Sequence, residues 1–268
     1  MQKIDRTGET NISNEGCTMK IAEYDNANNI IVEFEDEHKC RVYTSYQAFK
    51  KGNCKNPFFA SVYGHGYLGI DKEGNVPKMS EFKDGKTVNT WEYIKWQGML
   101  KRCFDNKYKE KYPTYKDVVC CERWLCYANF LEDLEVLKQE YNWNVDEKLN
   151  LDKDILHKGN KIYSLKNCML VPDWINLLFT KRDNDRGSYP IGVSYHKGAK
   201  KYQARCHING KLKGLGLYNT PEEAFNAYKI AKENEIKRVA EDCVLKGYIT
   251  KDGRLYNAMM GYQIKIDN

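Results

Sequence analysis

Histidine is scarce in this chain, with 5 among 268 residues, proline numbers only 6, and no apolar stretch approaches the length of a membrane span. The last absence excludes a transmembrane helix, which needs about 20 largely apolar residues in a row, and the mean hydropathy of −0.74 agrees. The opening Met1-Gln2-Lys3-Ile4-Asp5 lacks the apolar core of an export leader, so the expected compartment is the cytoplasm. No Gly-x-x-x-x-Gly-Lys-Ser/Thr loop is present to cradle a nucleotide phosphate. None of the histidines sits in a recognisable nucleophile context, so a serine or cysteine triad has no support. The 10 cysteines include no Cys-x-x-Cys pair. Cys103, Cys120, Cys121 and Cys126 are grouped, but vicinal cysteines make poor tetrahedral partners. A structural zinc is therefore not expected, and the thiols read as reduced, small buried hydrophobes.

What is present is enough apolar material for packed cores, at 41% of residues, beside 30% charged residues. The balance of 43 Lys and Arg against 37 Asp and Glu leaves a net charge of +6, which favours an anionic partner mildly. Length alone suggests two or three small domains. Residues 8–70 read as a small β domain: Ile30, Val32 and Phe34 alternate with more polar neighbours, and Cys40 and Val42 repeat the pattern after a polar turn. A compact five-strand barrel suits that length. Residues 71–90 are polar, with Gly74, Pro77 and Gly85, and read as a linker. Thr90 is placed to cap a helix from Trp91 to Cys103, followed by a basic, tyrosine-bearing stretch that begins with Lys101 and Arg102. A second helix is expected from Glu122 to Glu140, with Trp124, Tyr127, Phe130, Leu131, Leu134 and Leu137 on one face. Leu149 to Phe179 reads as strand, turn at Gly159-Asn160, strand, and a helix opening at Pro172.

From Arg186 to Tyr218 there are seven Lys or Arg and no Asp or Glu. Three strands are expected there, at 191–196, 200–208 and 211–218, with Asn209-Gly210 as the hairpin turn between the last two. Alternation in the middle strand turns Tyr202, Ala204, Cys206 and Ile208 toward a helix. Lys201, Gln203, Arg205 and His207 are left on the open face, with Lys200 at its end. Arg and Gln can each make paired hydrogen bonds to base edges, and Lys neutralises phosphate. Thr220-Pro221-Glu222-Glu223 then reads as a capping box opening a helix with small Ala224, Ala227 and Ala231. Residues 241–268 read as a tail of short irregular elements.

These residues carry a resemblance. Ile191-Gly192-Val193, Lys201-Tyr202-Gln203-Ala204, Leu215-Gly216-Leu217-Tyr218 and Thr220-Pro221-Glu222-Glu223-Ala224 with Ala227-Tyr228 are similar to the ethylene-response-factor (APETALA-two) DNA-binding domain. The resemblance implies a three-stranded sheet, backed by one helix, laid in the major groove of double-stranded DNA. The third strand departs from that family by offering Leu212 and Gly214 on this face, where the plant domains carry large basic or aromatic residues.

Residues 91–180 resemble phage HNH homing-type endonucleases, through Met99-Leu100-Lys101-Arg102-Cys103, Cys120-Cys121-Glu122-Arg123-Trp124, Leu151-Asp152-Lys153-Asp154-Ile155 and Gly159-Asn160-Lys161-Ile162-Tyr163-Ser164 with Asn167-Cys168. Some such enzymes carry the same DNA-binding domain behind the nuclease. The resemblance implies a ββα site holding Mg²⁺ or a similar divalent cation, with Asp152 and Asn176 as ligands and Asn167 tying the loop. Lys153 stands where the general base should be histidine, and a lysine at its ordinary pKa of about 10.4 cannot accept a proton at neutral pH. His157, four residues on, and Asp154, as a second carboxylate ligand, offer an alternative set. Two readings stand: a metal-dependent DNA endonuclease or nickase, and a DNA-binding regulator or inhibitor on a degenerate HNH scaffold. By resemblance the source is a phage or mobile element in a bacterial host. The expected fold class is α+β, with units at 8–70, 91–180 and 186–240.

Overall fold

The computed structural model describes residues 5–144, 148–180 and 188–266, and the chain divides into two compact units, Met1–Asp133 and Leu134–Asn268. It is α+β throughout. The division falls inside the expected 91–180 segment, placing its first helices with the N-terminal sheet and its ββα part with the C-terminal one. Among the described residues, no helix is long and apolar enough to cross a membrane.

In the first unit, β1 (Thr10–Ile12), β2 (Thr18–Asn26), β3 (Asn29–Phe34) and β4 (Arg41–Thr44) form one antiparallel sheet in chain order. Alternation buries Met19 and Ile21 of β2 with Ile30, Val32 and Phe34 of β3. Helix α1 (Tyr46–Lys50), whose Ala48 N–H is capped by Ser45 at 3.2 Å, drops Phe49 onto that face. The expected five-strand barrel is thus an open four-stranded sheet, because a helix covers the apolar face that a barrel would close over. The expected linker contains a hairpin, β5 (Ser80–Lys83) and β6 (Lys86–Asn89), exposed along both strands. Its turn is Asp84-Gly85, both at positive φ, the twist that suits two-residue hairpins.

Helix α2 (Trp91–Phe104) starts at the Thr90 cap and buries Trp96, Met99, Leu100 and Cys103. α3 (Asn106–Lys111) follows, then the short strand β7 (Val119–Cys120). The helix expected from Glu122 begins as a 3-10 turn over Glu122–Leu125, breaks at extended Cys126, and resumes as α4 (Tyr127–Gln139). The break has a cause. The N–H of Tyr67 donates to the Leu125 carbonyl at 3.0 Å and the N–H of Tyr127 to the Tyr67 carbonyl at 2.9 Å, pinning 125–127 as a short bridge. Both buried indoles find acceptors: Trp96 on the Trp124 carbonyl at 2.8 Å, and Trp124 on Asp133 at 2.7 Å.

In the second unit, β8 (Leu149–Asp152) pairs antiparallel with β10 (Met169–Pro172), and α5 (Asp173–Phe179) follows with Pro172 as its N-cap. The connection carries the two-residue β9 (Ile162–Tyr163). β11 (Val193–His196), β12 (Lys201–Ile208) and β13 (Lys211–Tyr218) form a second antiparallel sheet in chain order. The Asn209-Gly210 turn sits at φ of 52° and 71°, as the sequence predicts. Arg186 lies outside the described residues.

Helix α6 (Pro221–Leu245) opens on the expected box: Thr220 accepts from the Glu223 N–H at 3.2 Å while the Glu223 carboxylate accepts from the Thr220 N–H at 3.4 Å. Its first half packs Ala224, Phe225 and Tyr228 on the sheet residues Ala204 and Cys206. Its second half packs Ile236, Val239, Ala240 and Cys243 with Met169, Val171 and Ile175 of the ββα part. The expected irregular tail is instead structural: α6 continues to Leu245, and α7 (Arg254–Met260) buries Leu255, Tyr256 and Met259 in that second core. Arg254 clamps it, donating to both Glu140 carboxylate oxygens at 2.6 and 2.7 Å and to the carbonyls of Lys166 and Cys168 at 2.8 and 3.2 Å.

Gly192 explains one matched motif physically. It sits at φ +77°, and a Cβ there would lie 2.1 Å from the Tyr228 ring. We expect Gly192→Ala to cost at least about 1 kcal/mol of unfolding free energy in chemical denaturation. An unchanged midpoint would show that the sheet and helix are not held at this distance.

Candidate nucleic-acid interface

The middle strand sorts as alternation requires. Ala204 and Cys206 are buried against α6, whereas Lys201, Arg205 and His207 are exposed and Gln203 is half-buried. Register then adds neighbours to the outer face. Ser194 stands opposite Gln203 and His196 opposite Lys201 on β11; Leu217 stands opposite Gln203, Gly214 opposite Arg205 and Leu212 opposite His207 on β13. The ladder slips between Ala204 and Arg205, leaving Leu215 without a partner on β12. A bulge of this kind bends and twists the strand locally.

The slip also fixes where the other lysines go. Lys213 stands opposite Cys206 and Lys211 opposite Ile208, so both share the register of the helix-facing residues rather than of Arg205. Lys200, at φ 51°, sits exposed in the turn entering β12, where the Ala199 N–H donates to His196 Nδ1 at 3.1 Å. The charge of this segment is therefore divided between the two sides of the sheet. The outer face keeps Lys201 and Arg205, flanked by Lys200, two histidines and the amide of Gln203. Arg205 has one weak side-chain tether, to Ser194 Oγ at 3.4 Å, and Gly214 opposite offers no side chain to cover it. Lys101 and Arg102 lie in the other unit, on the last turn of α2, over the rings of Tyr108 and Tyr115 at 5.4 and 5.9 Å.

The ββα residues are arranged differently from the set the resemblance implies. Asp152 ends β8 and folds its Oδ1 back on the N–H groups of Asp154 and Ile155, both at 2.8 Å. Burial raises its carboxyl pKa above the ordinary range, against the pull of those two N–H donors. Lys153 is 6% exposed; its Nζ donates to Asp154 Oδ2 at 2.7 Å and to the Asn160 carbonyl at 2.8 Å. An ammonium so engaged has no lone pair to take a proton. His157 is an exposed loop residue whose carbonyl accepts from the Asn160 N–H at 2.9 Å, and Asn176 lies mid-way along α5 with its carbonyl accepting from Thr180. Among the described residues, no hydrogen bond joins either side chain to Asp152 or Asp154. Of the expected ligands, Asp152 has one oxygen folded onto backbone and Asp154 already accepts from the Lys153 Nζ. Among the described residues, no three His, Cys, Asp or Glu side chains converge as a metal site.

Loop tying falls chiefly to Asn160. Its amide donates to the carbonyls of Lys153 and Ile162 at 2.9 and 2.8 Å and accepts from the Ile162 N–H at 3.2 Å. Asn167, expected in that role, reaches Asn160 and Ile162 only at 3.5 and 3.4 Å. The Gly159-Asn160 pair signalled a turn, and an Asn in a turn can bond the backbone on both sides. Comparison of the chain with protein-family models, with curated proteins and with solved structures found no match in any of the three.

Asn160→Ala should destabilise the protein by about 1–3 kcal/mol, through two carbonyls and an N–H left without their partner. Asn167→Ala should cost less. Denaturant midpoints of the two variants decide it, and the reverse order would return the tying role to Asn167.

Proposed function

We propose that this chain binds double-stranded DNA through the outer face of the β11–β12–β13 sheet, and that the ββα part serves as a scaffold for that binding without cutting. The observation that carries the reading is the row Lys201, Gln203, Arg205 and His207 on one strand face with no carboxylate across from it. Such a row offers cation contacts to phosphate and paired donors to guanine or adenine edges. Three strands make a platform narrow enough for a major groove about 12 Å wide. Apolar Leu212 and Leu217 on the same face suit contact with a thymine methyl group. The likeness of this segment to the APETALA-two domain supports the same partner.

The scaffold part of the proposal rests on Lys153. A residue in the general-base position that is held by Asp154 and the Asn160 carbonyl does not activate water. The resemblance to HNH enzymes then describes architecture. A regulator or an inhibitor that occupies a DNA site fits this chemistry.

Charge reversal at Arg205 should weaken affinity for a duplex by about tenfold or more, measured by fluorescence anisotropy at fixed salt. Wild-type binding should fall with added salt, by a log–log slope of about −0.9 per phosphate neutralised. Gly214→Lys, whose Cβ would meet only Gln203 Nε2 at 3.9 Å, adds a cation beside Arg205 and should raise affinity. An Arg205→Glu variant that binds as well as wild type would remove the sheet face from the account. With supercoiled plasmid and Mg²⁺ or Mn²⁺, gel retardation without nicking is expected. Metal-dependent nicking that disappears in Asp152→Ala would overturn the scaffold reading.

A further inference from the structure

The second unit contains a cavity of about 590 Å³ between the end of α5, the start of α6 and the chain after α7. Its walls are mostly apolar, from Leu178, Phe179, Tyr228, Tyr262 and Ile264. Lys232, on α6, is one of its polar exceptions, with Thr180, Arg205, His207 and Glu235. Neither a hydrogen bond nor an ion pair engages its ammonium among the described residues. The carboxylate that might have served it, Glu235, is 6% exposed and fully engaged elsewhere: Arg238 donates to its two oxygens at 2.8 Å each, and the Asn209 N–H donates at 2.8 Å.

We propose that this cavity binds a small molecule with an apolar body and a single anionic head, an alkyl or aryl carboxylate, whose head group pairs with Lys232. The size falls in the usual range for small-molecule pockets, which combine apolar walls with a few placed polar groups. Lys232 is half-buried, and an anion entering beside it gains an ion pair while the walls cover its body. Burial lowers the Lys232 pKa from its ordinary value, with the nearby Cys206 and Glu235 opposing, and a bound carboxylate would favour the charged form further. A free phosphate or a polynucleotide is a poorer fit, since the walls are mostly apolar.

The cavity shares Arg205 and His207 with the proposed DNA face, and its test uses neither residue. Calorimetric titration of the full chain with decanoate should show saturable binding at one site. Decanol, which shares the body and lacks the charge, should bind about tenfold more weakly, as should decanoate to Lys232→Met. Lys232→Arg should restore binding. Leu178→Trp, which fills the cavity without touching the lysine, should abolish it with the circular dichroism spectrum unchanged. Equal binding of decanoate and decanol, unchanged affinity in Lys232→Met, competition by inorganic phosphate alone, or no saturable heat would each overturn the proposal.

Discussion

The second unit depends on one helix with two different neighbours. α6 has 25 residues, about 37 Å at 1.5 Å per residue, and no single small core could cover that length. Ala224 and Tyr228 anchor its first half on the three-stranded sheet, where Ala204 and Gly192 allow close approach. Ile236, Val239 and Cys243 anchor its second half on the ββα strands and on α7. Neither neighbour is large. Two-stranded β8–β10 with a seven-residue helix buries too little to stand alone, as does a three-stranded sheet with one open face. By sharing α6, each supplies part of the apolar surface the other's helix needs. The end of the chain reinforces the join, because Lys229 Nζ donates to the Ile264 carbonyl and the Ile264 N–H donates to Glu233, both at 2.8 Å.

That arrangement bears on how the outer sheet face works. One face of β12 is committed to α6, so everything the strand presents outward is set by register rather than by side-chain choice. The bulge at Leu215 determines that Gly214, not Leu215, stands across from Arg205, and Leu212, not Lys213, across from His207. Unbroken pairing would have put a further lysine on the outer face. Instead the outer face is a sparse mixture of cations, amide and aliphatic groups. In the proposed DNA complex, such a face would favour reading base edges and methyl groups at a few points over simple electrostatic adhesion, whose strength scales with the number of phosphates neutralised.

The sequence made short-range features legible and left shared cores hidden. Asn209-Gly210, the Thr220–Glu223 box and the alternation from Tyr202 to Ile208 are all decided within a few residues, and the structure has each of them. Asp84-Gly85 carried the same kind of signal and was outweighed by the polarity of its flanks, since β5 and β6 are exposed on both sides and lack alternation. The break at Cys126 was invisible because its cause, Tyr67, is 59 positions away. The tail was misjudged for a related reason. Its apolar residues Leu255, Tyr256 and Met259 look sparse until the second half of α6 provides a surface for them. In the candidate site, the outward row was readable from period two, but the sidedness of Lys211 and Lys213 required the bulge.

Lys153 shows how one residue type changes what a local architecture can do. The strand end places two carboxylates, Asp152 and Asp154, within one turn of each other, a concentration of negative charge that a hydrolytic site would use to hold a cation. Here the cation is part of the chain. The ammonium neutralises Asp154 and ties Asn160, while the Asn160 amide returns to the Lys153 carbonyl at 2.9 Å, closing a reciprocal clasp across the loop. The clasp needs a donor with at least two protons at a fixed point, which an ammonium supplies and a neutral imidazole, with one N–H, does not. The contacts that hold this loop in place are therefore made by the same nitrogen that the resemblance would cast as proton acceptor. A base at position 153 would have to release this clasp, so the order of the loop weighs against that role.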